Sequence, residues 1–126
     1  MPGNLTTYLE NKILDHCLGT ATFEKPSIYV GLFTEAPIDA DFGKEVTGNG
    51  YCRKKATFKI ANNGATSNAS NIEFDEMPSV TTVAIGIFDS PTEGNMLLFG
   101  YLTQETDTDE GDTLQIAEGG LDLEID

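Results

Sequence analysis

The stretch Thr81–Leu102 (TTVAIGIFDSPTEGNMLLFGYL) constrains the fold most, because it places two apolar arms on either side of a polar turn. In the first arm both alternating sets are apolar, with Ile85 and Ile87 on one side and Ala84 and Phe88 on the other. A strand that is apolar on both sides is typical of one buried on both faces. The polar segment between the arms contains Asp, Pro, Gly and Asn, which favour a turn. The sequence therefore predicts a central β-hairpin that is covered on both sides.

Further segments with strand patterns lie on either side of this hairpin. They carry apolar residues at alternating or successive positions and are bounded by turn-forming residues. They are Ser27–Thr34, Tyr51–Ile60, Asn71–Glu76, Thr113–Ala117 and Leu121–Ile125. With the hairpin arms they make about seven strands, which suits an all-β domain. The predicted fold is mainly β, either an antiparallel two-sheet sandwich or a jelly-roll-like barrel, with one N-terminal α-helix.

The predicted helix covers Leu5–Leu18, where apolar residues recur near one face at helical spacing. Asn4 or Thr7 is expected to cap its N-terminus, and Thr7 with Glu10 fits a capping box. Gly19 is expected to end it. This helix either covers the sheet of its own subunit or docks on a neighbouring subunit, and the pattern leaves both open.

Length and charge restrict the domain count and the class of partner. At 126 residues the chain is expected to form one domain over residues 1–126. Its net charge is −14, with only 7 Lys and Arg residues, which disfavours nucleic acid and anionic membranes as partners. The first residues lack the apolar core of a signal peptide, and no run reaches the ~18 apolar residues of a membrane span. We therefore expect neither a signal peptide nor a membrane segment.

A cluster of cations stands out against this acidity. Four of the 7 basic residues lie inside the predicted strand Tyr51–Ile60, in the seven-residue stretch Arg53–Lys59. Arg53, Lys55 and Lys59 fall on one side of that strand as candidates for docking on an acidic partner. The alternative is a solvated face that pairs with acidic neighbours on adjacent strands. The opposite side is predicted to face inward, with Cys52, Ala56, Phe58 and Ile60 interrupted by Lys54.

Two acidic segments are predicted to be loops. Glu35–Glu45 is long for a compact domain and is a candidate contact loop. In Thr103–Asp112 the carboxylates of Asp107 and Asp109 begin a calcium-loop spacing. Gly111 falls at the wrong position for an EF-hand, however, and no helices are expected to flank the segment. We predict a solvated acidic loop and no metal site.

No motif in the chain points to catalysis. The sequence contains neither a nucleophile elbow nor a glycine-rich phosphate-binding loop. The single histidine, His16, has no nearby pattern of ligands and is expected to be structural. Cys17 and Cys52 lack metal-site spacing and are expected to be buried free thiols. The chain is therefore predicted not to be an enzyme, with no catalytic, cofactor or metal-binding residues.

The order of several motifs resembles a known family. The segment LTTYLENKILDHCLG precedes IYVGLFTEAP and GNGYCRKKATF, and AIGIFDSPTEGNMLLFGYL and GDTLQIAEGGLDLEID follow. From Leu5 to Asp126 this order resembles a family of small virion structural proteins of tailed bacteriophages, of the capsid decoration (cement) or tail-fibre-like kind. The resemblance implies a location in the virion, reached after assembly in the host cytoplasm, and assigns no site residues.

A compact acidic domain of this kind suits a decoration protein on the outer surface of the phage head. Its partners would be the major capsid protein and copies of itself. The alternative is a tail, neck or fibre-associated subunit that binds tail or neck proteins and contacts the host.

Overall fold

A computed structural model describes residues 4–35 and 43–124 of the chain. These residues form a mainly β fold with one helix near the N-terminus, as the sequence predicts. The elements are β1 Asn4–Leu5, α1 Thr7–Cys17, β2 Tyr29–Glu35, β3 Lys44–Glu45, β4 Lys54–Lys55, β5 Ala65–Ser67, β6 Ile72–Met77, β7 Val80–Phe88, β8 Met96–Thr108, β9 Asp112–Ile116 and β10 Asp122–Glu124.

The largest sheet is built around the predicted hairpin. β7 and β8 pair antiparallel, with Ile85 opposite Gly100 and Ile87 opposite Leu98. β2 pairs with the other edge of β7, and β1 pairs with the far edge of β8. The strand order is β1-β8-β7-β2-β3, and β4 also pairs with β2. One end of the sheet is therefore β1 and β8, and the other is β3 and β4.

The first arm of the hairpin is buried on both faces, as its two apolar sets predict, whereas Tyr101 in the second arm is 57% exposed. Ile85 and Ile87 are no more than 1% exposed on one face, and Ala84 is fully buried on the other. In the turn, the Asp89 carboxylate accepts hydrogen bonds from the backbone N and the side-chain Nδ2 of Asn95, at 2.8 and 3.0 Å. These bonds join the two ends of the turn.

Two small antiparallel sheets, β6–β9 and β5–β10, form the second layer. Their inward residues meet one face of the large sheet in a shared core. The core consists of Val30, Leu32, Val46, Ala56, Ile72, Phe74, Met77, Ile85, Ile87, Leu114, Leu121 and Leu123. The described sheets do not close into a barrel, so the sandwich alternative of the predicted fold is the one observed.

A second, aromatic core lies on the outer face of the large sheet. The rings of Phe33 and Phe88 stack there with centroids 6.0 Å apart, and Phe99 and Met96 belong to the same cluster. Gly86 lies beneath these rings, and a Cβ at this position would come within 2.7 Å of the Phe33 ring. Gly86 is therefore required for the close approach of the aromatic pair.

The helix is capped by a residue that lies between the two predicted caps. The N-cap is Thr6, not Asn4 or Thr7. Its hydroxyl accepts a hydrogen bond from the Leu9 amide at 3.3 Å and donates one to the Met96 carbonyl at 2.7 Å. Capping by Thr6 thus ties the helix to β8, a contact that helix spacing cannot reveal. Gly19, at φ +82°, follows the end of the helix as predicted.

The predicted strand Tyr51–Ile60 is wrong over most of its length. Only Lys54–Lys55 is a strand, and Ile60, predicted to point inward, is 97% exposed. The physical reason is that this segment crosses between the layers. It leaves β2 after Lys55, and the Lys59 amide then donates to the Ser67 carbonyl of the second layer.

The predicted acidic loop Thr103–Asp112 is also wrong for most of its residues. β8 continues through it to Thr108, because the first residues of β7 pair there, with Thr81 opposite Asp107. The turn is confined to the few residues around Gly111, which has φ +90°.

Other predicted boundaries shift by smaller amounts. Between the predicted strands Tyr51–Ile60 and Asn71–Glu76 lies β5, which the sequence did not predict and whose partner β10 lies far away in sequence. Of the candidate contact loop Glu35–Glu45, residues 36–42 lie outside the described residues, and Lys44–Glu45 forms β3 against β2. Cys17 and Cys52 are free thiols as predicted, but both are exposed and not buried.

Candidate functional site

The three cations predicted to dock on a partner have different surroundings. Arg53 has a side chain that is only 9% exposed and lies against the large sheet. Its Nη2 and Nε atoms each lie 2.9 Å from a carboxylate oxygen of Glu45, in a two-point ion pair. Its Nη1 donates to the carbonyls of Ser90 and Glu93, at 3.0 and 2.8 Å. Arg53 is thus bound within its own subunit.

The guanidinium also covers the aromatic core. The Cζ atom of Arg53 lies 3.5 Å from the centroid of the Phe88 ring, within the range of a cation–π contact. Because its hydrogen bonds reach β3 and the β7–β8 turn, Arg53 joins three segments that are far apart in sequence. Its partner Glu45 lies in the candidate contact loop Glu35–Glu45. Arg53 and Glu45 therefore bind each other, and neither is free to bind a partner protein.

Tyr51 completes this network at a gap in the sheet. β4 and β3 pair with different parts of β2: β4 with Tyr29 and Val30, and β3 with Phe33 and Glu35. Between these two parts, Gly31 and Leu32 have no partner on this side among the described strands. The Tyr51 hydroxyl fills the gap, accepting a hydrogen bond from the Leu32 amide at 2.8 Å. It donates to Oε2 of Glu45, also at 2.8 Å. Gly31 lies beneath, since a Cβ there would be 2.8 Å from the same carboxylate oxygen.

Burial raises the pKa of the Tyr51 phenol far above its ordinary value, and the negative charge of Glu45 adds to the shift. A phenol whose pKa is raised on folding stabilises the fold fully below its unfolded-state pKa of about 10 and loses that stabilisation as the pH rises further. The network therefore depends on a neutral Tyr51.

Tyr51→Phe is expected to lower the free energy of unfolding by about 1–2 kcal/mol at neutral pH, because the Leu32 amide loses its acceptor. Above about pH 10 the wild-type protein should lose stability faster than the variant, so the difference should shrink. Urea unfolding of both proteins between about pH 8 and about pH 11 measures it. A difference that stays constant over this range would contradict the buried, neutral phenol.

Lys55 and Lys59 remain at the surface, unlike Arg53. Lys55 is an exposed residue of β4, and its neighbour Lys54 is half-buried. Lys59 lies beyond the strand, with its Nζ 3.6 Å from a carboxylate oxygen of Glu118 and both side chains about half exposed. The predicted row of three cations therefore does not exist as one surface. The exposed positive charge of this region is centred on β4, at one end of the large sheet.

A groove opens where the large sheet meets the second layer. It has a volume of about 480 Å³ and lies between the end of β8 and the neighbouring strand β9. Leu32, Leu114 and Leu121 of the core line its floor, and the exposed acids Asp107, Asp112 and Asp122 line its rim. We call this feature the acidic groove. The sequence showed the acidity of this region but not the apolar floor, which comes from other strands.

Chemistry beyond these contacts is sparse in the described chain. Over residues 4–35 and 43–124, no three side chains of the metal-ligating kinds come together in a way that could hold a metal ion. Nδ1 of His16 accepts a hydrogen bond from the Phe23 amide at 3.3 Å, a structural contact. In the same described part of the chain, no helix is long and apolar enough to span a membrane.

Comparison with known protein families identifies the family of this chain. A family model described as Podophage GP4 fiber I protein gp80 matches residues 4–124. This chain belongs to that family. A comparison with curated proteins found no match.

Membership of the gp80 family confirms the resemblance to virion structural proteins of tailed bacteriophages. The chain is thus a phage virion structural protein. The family description names a fibre protein, which agrees with the tail or fibre alternative better than with capsid decoration. The match covers both the Arg53 network and the acidic groove, which lie within residues 4–124.

Proposed function

We propose that this chain is a non-enzymatic structural subunit of a fibre-type appendage on the tail of a podophage. The observation that carries the proposal is the match of residues 4–124 to the family of a podophage fibre protein. A match of this extent includes both layers of the sandwich and the N-terminal helix. The proposal replaces capsid decoration as the main function and keeps it as the alternative.

The polar contacts of the described residues support a structural role over a catalytic one. Arg53, Glu45 and Tyr51 form the most extensive polar network of the described chain, and its contacts are internal. Together they fasten the β7–β8 turn to the edge of β2. A carboxylate held in this way is a structural element and not a free acid or base. Turnover of a carbohydrate substrate that disappears with one carboxylate substitution would contradict the proposal.

We further propose that the subunit docks on its neighbours in the virion through its exposed cations. Lys55 and Lys59 are the members of the predicted docking set that face solvent. Lys55→Glu with Lys59→Glu should reduce incorporation into particles while the fold is retained. The matched control is Lys25→Glu with Lys44→Glu, two other exposed lysines with the same change in charge.

The deciding measurement is the copy number of the protein per virion, by quantitative mass spectrometry against the major capsid protein. Gold-labelled antibodies viewed by electron microscopy locate the same protein on the particle. A few copies, with label at the tail, would support the fibre function. Copies as numerous as the capsid protein, with label over the head, would overturn it in favour of decoration. Absence from purified particles would contradict both functions.

A further inference from the structure

We infer that copies of this chain bind one another head to tail, with the lysine edge strand β4 of one copy seated in the acidic groove of the next. This inference rests on the proposed function in one respect, since it assumes a virion part in which the subunit is repeated. It goes further by naming the two surfaces that meet. The two surfaces use different strands: β4 is an outer strand beside β2, and the carboxylates of the groove lie on β8, β9 and β10.

The groove has the features of a site for an extended chain. β1 pairs with β8 only at Leu98 and Phe99, so among the described strands none pairs with the rest of that edge. β9 has one described neighbour, β6, and its second edge is also without a strand. Unpaired edges present backbone donors and acceptors that an added strand can use. Leucine side chains between the two edges provide an apolar floor.

The charge of the groove selects a cationic occupant. Asp107, Asp112 and Asp122 are exposed on its rim, and within the described residues none of them is in an ion pair. Thr81 donates a hydrogen bond to Asp107, and the Asp109 amide donates one to Asp112, so both carboxylates are held in place. Fixed carboxylates around an apolar floor suit an extended segment that carries lysine or arginine.

The chain itself offers such a segment. Of its 7 basic residues, Lys54 and Lys55 are adjacent on an edge strand, whereas Arg53 is bound internally and Lys59 faces Glu118. Lysine on an edge strand discourages pairing with neutral or basic edges, but it complements an acidic one. The donor strand β4 and the carboxylates of the groove are different parts of the subunit, so a contact in which one copy donates and the next receives is heterologous. It yields a closed ring or an open filament, according to the rotation between copies.

The net charge of −14 determines the conditions under which this contact forms. At low ionic strength the overall repulsion between two acidic copies opposes association. At about 0.15 M salt the screening length falls to about 8 Å, which weakens that repulsion more than the short-range attraction between lysine and aspartate. Association is therefore expected to be stronger at about 0.15 M than at about 0.01 M salt.

The test uses sedimentation velocity of the full chain in about 0.15 M salt, where the screening length is short. The wild-type protein should form larger species as its concentration rises. Lys54→Glu with Lys55→Glu should weaken self-association about tenfold or more, and so should Asp107→Asn with Asp122→Asn. Two matched pairs with the same charge changes, Lys25→Glu with Lys44→Glu and Glu10→Gln with Glu24→Gln, should associate like the wild type.

Mixing the two interface variants keeps the inference falsifiable, since each retains one intact surface. The groove variant has a normal β4, and the lysine variant has a normal groove, so together they should form a dimer that grows no further. A wild-type chain that stays monomeric, or variants that associate normally, would overturn the inference. So would a monomeric wild type whose groove binds a synthetic lysine-rich peptide, because the occupant would then be another protein. Copy number at the tail would still decide the proposed function separately.

Discussion

Ile85→Asp is expected to abolish the cooperative fold at room temperature. Ile85 is fully buried between the two layers and lies opposite Gly100 at the centre of the hairpin. The change removes about 1.5–3 kcal/mol of apolar burial. It also places a carboxyl group where no partner is available, at a cost of several more kcal/mol. Together these losses approach the whole stability of about 5–15 kcal/mol that is typical of a domain.

Circular dichroism during thermal unfolding measures this effect. Two controls separate position from chemistry. Ile85→Val should cost only about 0.5–1.5 kcal/mol, since it removes a single methyl group. Gln104→Asp adds the same charge at an exposed position of β8 and should change stability by less than about 0.5 kcal/mol. A soluble Ile85→Asp protein with a melting curve close to that of the wild type would contradict the burial of the first arm of the hairpin on both faces.

Arg53→Met is expected to cost about 3–5 kcal/mol, the second-largest effect, because it removes one partner of a largely buried ion pair. The Glu45 carboxylate would keep the hydrogen bond from Tyr51 but lose both bonds from the guanidinium. The carbonyls of Ser90 and Glu93 would also lose their donor. Amide hydrogen exchange in the β7–β8 turn should accelerate for the same reason.

A double-mutant cycle with Glu45→Gln, measured by urea unfolding, tests whether the two residues act as a unit. The double variant should be more stable than the sum of the single losses implies, with a coupling energy of about 1–3 kcal/mol. Lys44→Met removes a neighbouring exposed charge and should change stability by less than about 0.5 kcal/mol. Additive losses, or an Arg53→Met protein as stable as this control, would contradict the network.

Patterns that repeat along the chain predicted much of the fold. The hairpin, β2, β6 and β9 were predicted within a few residues, because alternation of apolar side chains reflects burial in neighbouring layers. The prediction of secondary structure failed where a segment becomes a strand only by pairing with a distant segment. Residues 103–108 read as a loop from their acids, yet they pair with the first residues of β7, and pairing outweighed the local preference.

The candidate site was predictable only as a concentration of charge. Sequence placed Arg53, Lys55 and Lys59 on one strand face, because their spacing fits a period of two. Nothing local signalled that Glu45 and the Phe88 ring would enclose the first of them and leave the others exposed. The partners of a charged side chain depend on long-range chain crossings.

Sequence by itself determined the mainly β fold with one N-terminal helix, the hairpin at its centre and the family of phage structural proteins. These follow from the periodic spacing of apolar residues and from the order of motifs, both of which are visible in a single sequence. Tertiary structure alone decided that Arg53 fastens a turn, that Thr6 caps the helix and that an acidic rim surrounds an apolar groove beside β8. Each of these depends on atoms brought together from distant segments, and the free energy of such contacts exists only once the layers have packed.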